Sequence, residues 1–224
     1  MADLPSNVHI SQHPCLVAKL SQLRSQGTSA RDVKSLIHEI TLIVGCEALG
    51  KSLGTTPGPM DKTPLGYEFQ TAKLEPEAIS LVPILRSGLG MTLLPNPVPV
   101  HHLGLYREPI SLQPVEYYNN LPNHIAGSGS GGAAVSSLAI VLDPVIATGG
   151  TCAAAISTLR QWGVKRIVVV SVLGALPGVK AVAAEWPEGV EIWLAGVDEE
   201  LTDRGMLKPG LGDIGDRLFL TIGK

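Results

Sequence analysis

The feature that leaves fewest folds open lies in the second half of the chain, where apolar runs of strand length alternate with helical patterns. Leu138–Leu142, Ile167–Val172 and Val190–Val197 are nearly continuous in Val, Ile, Leu and Ala. Between the first two, Gly150–Trp162 turns Cys152, Ile156 and Leu159 to one side at helical spacing. Pro177, a residue favoured at the first helical position, opens a further helix that ends near Trp186. Strands that are apolar on both faces and separated by helices call for a parallel sheet covered on both sides. Ala78–Leu85 and Val98–Leu105 extend the same sheet. In such sheets ligands bind beyond the carboxyl ends of the strands.

The first third reads as helical. His13–Gln26 predicts a short helix, and Ser29 with Asp32 forms a capping box for a longer one. Val33, Leu36, Ile37, Ile40, Val44 and Ala48 keep one face of that helix apolar. Prolines and glycines from Thr55 to Pro64 predict a loop, and Leu65–Leu74 an extended pair. Tyr106–Leu121, with Pro109 and Pro114, predicts a projecting hairpin or flap. Ala126–Ser137 holds only Ala, Gly, Ser and one Val, the composition of a flexible surface loop. The tail Asp198–Gly215 is polar, glycine-rich and too patterned for a linker. With 224 residues and no internal repeat, the expectation is one domain over 1–224.

Charge and cysteine usage remove several function classes. Lys+Arg number 17 against 20 Asp+Glu, so no basic footprint invites nucleic acid or an anionic membrane. The longest apolar run, Ile167–Leu176, is broken by Ser171 and Gly174 and is too short to span a bilayer. Met1–Ile10 carries Asp3 and Pro5 and lacks the apolar centre of a secretory signal. Cys15, Cys46 and Cys152 are odd in number and form no C-x-x-C pair. They read as reduced, buried or half-buried thiols of a cytoplasmic protein.

Three phosphate-binding strings match the sequence without their required context. Gly45-Cys-Glu-Ala-Leu-Gly50-Lys51-Ser52 satisfies the P-loop pattern, but helical spacing precedes it and Gly54, Pro57, Gly58 and Pro59 follow. A P-loop must follow a strand and open a helix; this segment reads as a helix C-terminus with a basic last turn. Gly127-x-Gly129-x-x-Gly132 and Gly210-x-Gly212-x-x-Gly215 match the dinucleotide fingerprint, yet neither sits in a βαβ unit.

The segment Leu138–Thr151 does have the right context. An apolar strand delivers Asp143, and the loop Pro144, Val145, Ile146, Ala147, Thr148, Gly149, Gly150, Thr151 opens the helix Gly150–Trp162. Its glycines let the backbone approach a phosphate, and its N–H groups stand at the positive helix end. Asp143, at the strand's carboxyl end, can accept from the vicinal hydroxyls of a ribose. Val82-Pro-Ile-Leu-Arg86-Ser-Gly88-Leu-Gly90 repeats the plan with an arginine, and Arg107 ends the next strand. Two arginines at strand ends beside a phosphate loop suit a pyrophosphate group.

LVPILRSGLGM (81–91), GLYREPISLQPVEYY (104–118), LDPVIATGGT (142–151) and PGLGDIGDRLF (209–219) together resemble the motifs of uracil phosphoribosyltransferases. The segment from His13 through the helix after Ser29 is also similar, so the likeness runs in order along nearly the whole chain. It implies a type I phosphoribosyltransferase fold: a parallel sheet flanked by helices, an N-terminal helical segment, a projecting β-hairpin and a C-terminal base-binding hood. The implied reaction joins uracil to the sugar of phosphoribosyl pyrophosphate with Mg²⁺, giving UMP and pyrophosphate in pyrimidine salvage. The same resemblance makes Asp143–Thr151 the ribose-5-phosphate loop and Arg86 and Arg107 the pyrophosphate contacts. Leu207, Gly212 and Ile214 would meet uracil through backbone groups, and Asp213 would reach toward the donor and its metal. Arg86, Arg107, Asp143 and Asp213 are thus the catalytic set, and a homo-oligomer is expected. Met206 stands where bacterial members often have tyrosine, and Ile214 where they have alanine.

Other residues read as structural. His101 and His102 fall in a strand, so their side chains point to opposite faces and cannot share a metal. His13, His38 and His124 have no carboxylate or cysteine at useful spacing, and Trp162, Trp186 and Trp193 read as packing. Two rival classes stand beside the enzyme: a non-catalytic regulator that keeps the donor site, and a P-loop kinase built on Lys51. The acidic balance and the complete base-binding tail oppose the first, and the context of Gly45–Ser52 opposes the second.

Overall fold

The computed structural model describes residues 3–91, 97–108, 113–122 and 136–220. The chain begins with β1 (Val8–Ile10), α1 (Pro14–Arg24) and α2 (Ala30–Ser52), then the ribbon β2 (Gly54–Lys62) and β3 (Glu68–Glu75). There follow β4 (Ile79–Leu85), a 3-10 turn (Ser87–Gly90), β5 (Leu103–Arg107) and β6 (Pro114–Asn119). After β7 (Leu138–Leu142) and β8 (Val145–Ile146) come α3 (Gly150–Trp162), β9 (Arg166–Ala175), α4 (Leu176–Glu185) and β10 (Val190–Asp198). The tail holds β11 (Glu200–Leu201), β12 (Leu207–Lys208) and α5 (Ile214–Phe219).

The main sheet runs β1-β10-β9-β7-β4-β5-β6, with β8 beside β9. All of its pairings are parallel except the last, where β6 lies antiparallel to β5. Period-two alternation divides the strands between two cores. Leu81, Ile140, Leu142, Val168 and Val170 pack with α1 and α2. Val82, Ala139, Val141, Val169 and Ile192 pack with α3 and α4. The predicted apolar face of α2 is buried throughout, and Ser29 caps that helix by accepting from the Asp32 N–H at 3.2 Å. Left-handed glycines, Gly149 and Gly163, bound α3 at both ends.

Several expectations are corrected. Thr55–Pro64 is not a loop: Gly54–Lys62 pairs antiparallel with Glu68–Glu75, with a register shift between Pro57 and Met60. A two-stranded ribbon has only edges, so prolines at a bulge cost it little pairing. The ribbon also leaves Met60, Leu65, Tyr67 and Phe69 exposed. It is the projecting hairpin of this fold, whereas the hairpin expected there, β5–β6, closes the edge of the main sheet. Strand β5 starts at Leu103, later than the expected Val98. Val100 makes only an isolated bridge to Leu81, so His101 and His102 precede the strand. Cys152 is buried, but Cys15 and Cys46 are exposed. The Gly127–Gly132 string and most of the Gly/Ser stretch lie outside the described residues, among which no helix is long and apolar enough to cross a membrane.

Candidate active site

Strands β4 and β7 are neighbours, with Pro83 beside Leu142. The chain leaves them in opposite directions, from β4 toward β5 and from β7 toward β9. The connections therefore part at their carboxyl ends, and a crevice opens there. Arg86 follows β4 and Asp143 follows β7, so the two residues meet at this crevice because of the strand order. They line a cleft of about 300 Å³ with Tyr106 and Tyr117 of the hairpin and with Met206 and Gly212–Gly215 of the tail. An adjoining cup of about 140 Å³ is lined by Asp143, Val145–Gly149, Thr151 and Cys152.

Backbone contacts shape the cup. The N–H groups of Val172 and Leu173 donate to the Pro144 carbonyl at 3.0 and 3.1 Å, drawing the start of the loop onto β9. Pro144 is thus buried in the support and lines neither cavity, and Gly150 does not line them either. Gly149 has φ +86°, and a Cβ there would stand 2.5 Å from the Gly178 carbonyl oxygen. Only glycine combines that dihedral with that approach. The early N–H groups of α3 have no intrahelical partners, and Gly149, Thr151 and Cys152 at that helix end line the cup with the half-buried Thr148. Such an arrangement suits a phosphate.

Asp143 is only 8% exposed. Burial raises its carboxyl to about 7, against the opposing effect of a hydrogen bond from the Val145 backbone. The neighbouring Cys152 is held as a thiol, because burial and then the Asp143 charge push its pKa well up. Arg86 is exposed at the head of the 3-10 turn, with its guanidinium carbon 6.0 Å from the centre of the Phe219 ring. Arg107 ends β5 opposite Pro114, and its side chain lies outside what is described.

The tail is strapped down by two arginines. Arg24 donates to both carboxylate oxygens of Asp198, at 3.0 and 2.5 Å, and to the Gly210 carbonyl at 2.8 Å. Asp198 in turn accepts from the Gly210 N–H at 2.9 Å. Arg217 donates to the carbonyls of Leu23 and Leu211, both at 2.7 Å. Positive φ at Gly210 and Gly212 then folds the tail over the cleft. Asp213 lines the cleft and caps α5, accepting from the Asp216 N–H at 3.0 Å. Ile214 starts that helix, leaving its N–H without an intrahelical acceptor. Its side chain is 7% exposed and packs in the core with Leu207 and Leu211.

The strand order thus gathers Arg86, Asp143, Asp213, Gly212 and Ile214 at one cleft, while Leu207 is buried in the core and does not line it, and Met206 does. Tyr106 and Tyr117 also line it, and the sequence reading gave them no role. Their only sequence signal is the strand alternation after Gly104, which does not reveal which face meets the cleft. Lys51 is elsewhere. It lies in the last turn of α2, and it borders a separate cavity with Arg166 and Glu191 at the amino edge of the sheet.

A family model described as uracil phosphoribosyltransferase matches residues 10–221. A uracil phosphoribosyltransferase of Roseiflexus castenholzii is 42% identical over 225 residues, covering 96% of this chain and 98% of that one. One from Exiguobacterium sibiricum is 38% identical over 221 residues, covering 96% and 99%. Among solved structures, the AQ2163 protein from Aquifex aeolicus superposes with a TM-score of 0.81 at 32% identity, covering 96% of this chain and 98% of that one. With its motifs gathered at one crevice and its relatives matched from end to end, the chain belongs to the uracil phosphoribosyltransferase family.

Proposed function

We propose that the chain transfers the 5-phosphoribosyl group of phosphoribosyl pyrophosphate to uracil, giving UMP and pyrophosphate. The observation that carries this reading is the meeting of two unlike sites in one cleft. One is a phosphate cradle with a buried carboxylate, and the other a glycine-turned tail presenting fixed backbone groups. The cradle holds the 5-phosphate on the N–H groups and hydroxyls of Thr148–Thr151, and Asp143 accepts from the ribose hydroxyls. Arg86 and Arg107 receive the departing pyrophosphate, where charge builds up as the C1–O bond breaks. The tail presents uracil through backbone groups at Gly212 and Ile214, in line for the C1–N bond. The hairpin and the tail together limit the water that would hydrolyse the donor.

Magnesium fits this site as a companion of the donor. Among the described residues no cluster of three or more His, Cys, Asp or Glu could cage a metal. Asp143 and Asp213 nevertheless line the same cleft, and Mg²⁺ is commonly held by one or two carboxylates plus substrate phosphates. When bound it would neutralise pyrophosphate charge. We read the chain as a cytoplasmic enzyme with small-molecule substrates that self-associates. The exposed apolar residues of the β2–β3 ribbon support that last point, and sedimentation velocity would show a species of twice the chain mass or more.

The reaction is tested by mixing the purified chain with uracil, phosphoribosyl pyrophosphate and Mg²⁺ and identifying the products. UMP and pyrophosphate in equal amounts are expected. Release of pyrophosphate without UMP would contradict the transfer.

A further inference from the structure

Three observations converge on Tyr117. The β5–β6 ladder pairs Leu105 with Glu116 and Gly104 with Tyr118, so Tyr117 is the extra residue of a β-bulge. Bulges next to a site re-aim a side chain. Beneath its ring lies Gly104, where a Cβ would stand 2.8 Å from both Cε2 and Cζ of Tyr117. Such a Cβ would also stand 2.7 Å from the Cβ of Tyr118, so a side chain at position 104 would displace the ring together with the strand that carries it. Tyr106 steadies it from the side, with ring centroids 6.1 Å apart at 47°. Thus re-aimed, the ring lines the cleft with Met206 and Ile214 while remaining 55% exposed. Exposed aromatic area in a cleft that also offers backbone hydrogen-bonding groups suits a flat, polar-edged ring: the polar edge meets the tail, and the face needs an apolar wall.

We infer that Tyr117 is an acceptor-binding residue whose ring packs against the planar base, and that Gly104 positions it. The inference rests on the reaction proposed above. It divides the cleft into a donor side, formed by Arg86 and the Asp143–Thr151 loop, and an acceptor side bounded by Tyr117 and the tail. Met206 adds a flexible apolar side chain on the acceptor side.

The test is the KM for each substrate in Tyr117→Ala, Tyr117→Phe and Gly104→Ala. Base–aromatic stacking of ordinary strength predicts a rise in the uracil KM of roughly 5- to 100-fold for Tyr117→Ala. The phosphoribosyl pyrophosphate KM should stay within about 2-fold in the same variant. Tyr117→Phe keeps the ring and should bring the uracil KM back to within about 3-fold of the wild type. Gly104→Ala should raise the uracil KM in the same direction as Tyr117→Ala, although Tyr117 is still present. A wild-type chain that forms no UMP would overturn both the reaction and this assignment. UMP formation by the wild type, with a uracil KM unmoved in Tyr117→Ala or moved equally with that of the donor, would overturn this assignment alone.

Discussion

A Cβ on Gly178 would lie 2.0 Å from the carbonyl oxygen of Ala147, so the backbone of α4 bears directly on the backbone of the phosphate loop. The position of the loop is thus set in part by a helix that lines neither the cleft nor the cup. Gly178→Ala must push the two backbones apart. Overpacking of this kind costs about 1–3 kcal/mol, and the loop is the freer partner. The expected result is a donor KM raised roughly 10-fold or more, with a much smaller change in the uracil KM. Steady-state kinetics with each substrate varied in turn checks it.

The buried Asp143 carboxyl gives a pH signature. In the folded chain it holds its proton to about 7, whereas the ordinary value is 3.8. The unfolded chain thus releases this proton first. Stability linked to the group is fully present below about pH 4, falls as pH rises, and is lost once pH passes about 7. Asp143→Asn should therefore gain stability relative to the wild type as pH rises through that window, by a few kcal/mol at most. Thermal unfolding of both proteins at pH 5 and pH 8 measures the difference. In the proposed reaction Asp143 accepts from the ribose hydroxyls in its ionised form, so the same residue would oppose stability where it serves binding.

The Arg24–Asp198 pair predicts a link between α1 and base binding. Asp198 is 5% exposed and holds Gly210 as well as the guanidinium. Arg24→Ala would leave that carboxylate buried without its cation, at a cost of about 3 kcal/mol. The Gly210 turn would loosen with it, raising the uracil KM more than the donor KM. Arg24→Lys should recover only part of the loss, since an ammonium cannot reach both carboxylate oxygens and the Gly210 carbonyl as a guanidinium does. Denaturant unfolding together with the two KM values tests the pair.

Fixed backbone groups in the tail predict base selectivity. Uracil offers an N3–H donor beside an O4 acceptor, and cytosine offers the reverse. Backbone groups at Gly212 and Ile214 cannot rotate to suit it, so cytosine should be rejected by about 10⁴-fold. Orotate carries a carboxylate that needs a basic partner. Lys208, the only lysine or arginine in 207–214, is already paired with Glu200 at 2.8 Å on the exposed side of β12. Small 5-substituted uracils should be used, and cytosine, orotate and purines should not. Rates with each base at equal concentration decide this.

Much of this arrangement is legible in the amino-acid sequence. Leu138–Leu142 and Gly150–Trp162 appear as read, because a doubly covered strand and an amphipathic helix each carry an unambiguous period. The glycines at 149 and 150 marked the loop, and the tail's glycines marked its turns. Half of the ribbon was legible, since Leu65–Leu74 reads as extended and overlaps β3, but β2 was hidden because its prolines imitate a loop and its pairing of two exposed edges leaves no apolar alternation. Tyr117 was hidden for another reason. Its direction depends on a one-residue register shift between two strands, which neither strand's sequence contains. The straps from Arg24 and Arg217 join residues more than 170 positions apart, beyond the reach of any local pattern.

In the proposed reaction the loop after β7, and not the P-loop string at the end of α2, holds the sugar donor. Calorimetric titration of phosphoribosyl pyrophosphate with Mg²⁺ into the wild type, Asp143→Asn and Lys51→Ala tests it most directly. Loss of a charge-assisted contact predicts binding roughly 10- to 100-fold weaker in Asp143→Asn, with the affinity of Lys51→Ala matching the wild type. Donor binding abolished by Lys51→Ala and untouched by Asp143→Asn would contradict the account.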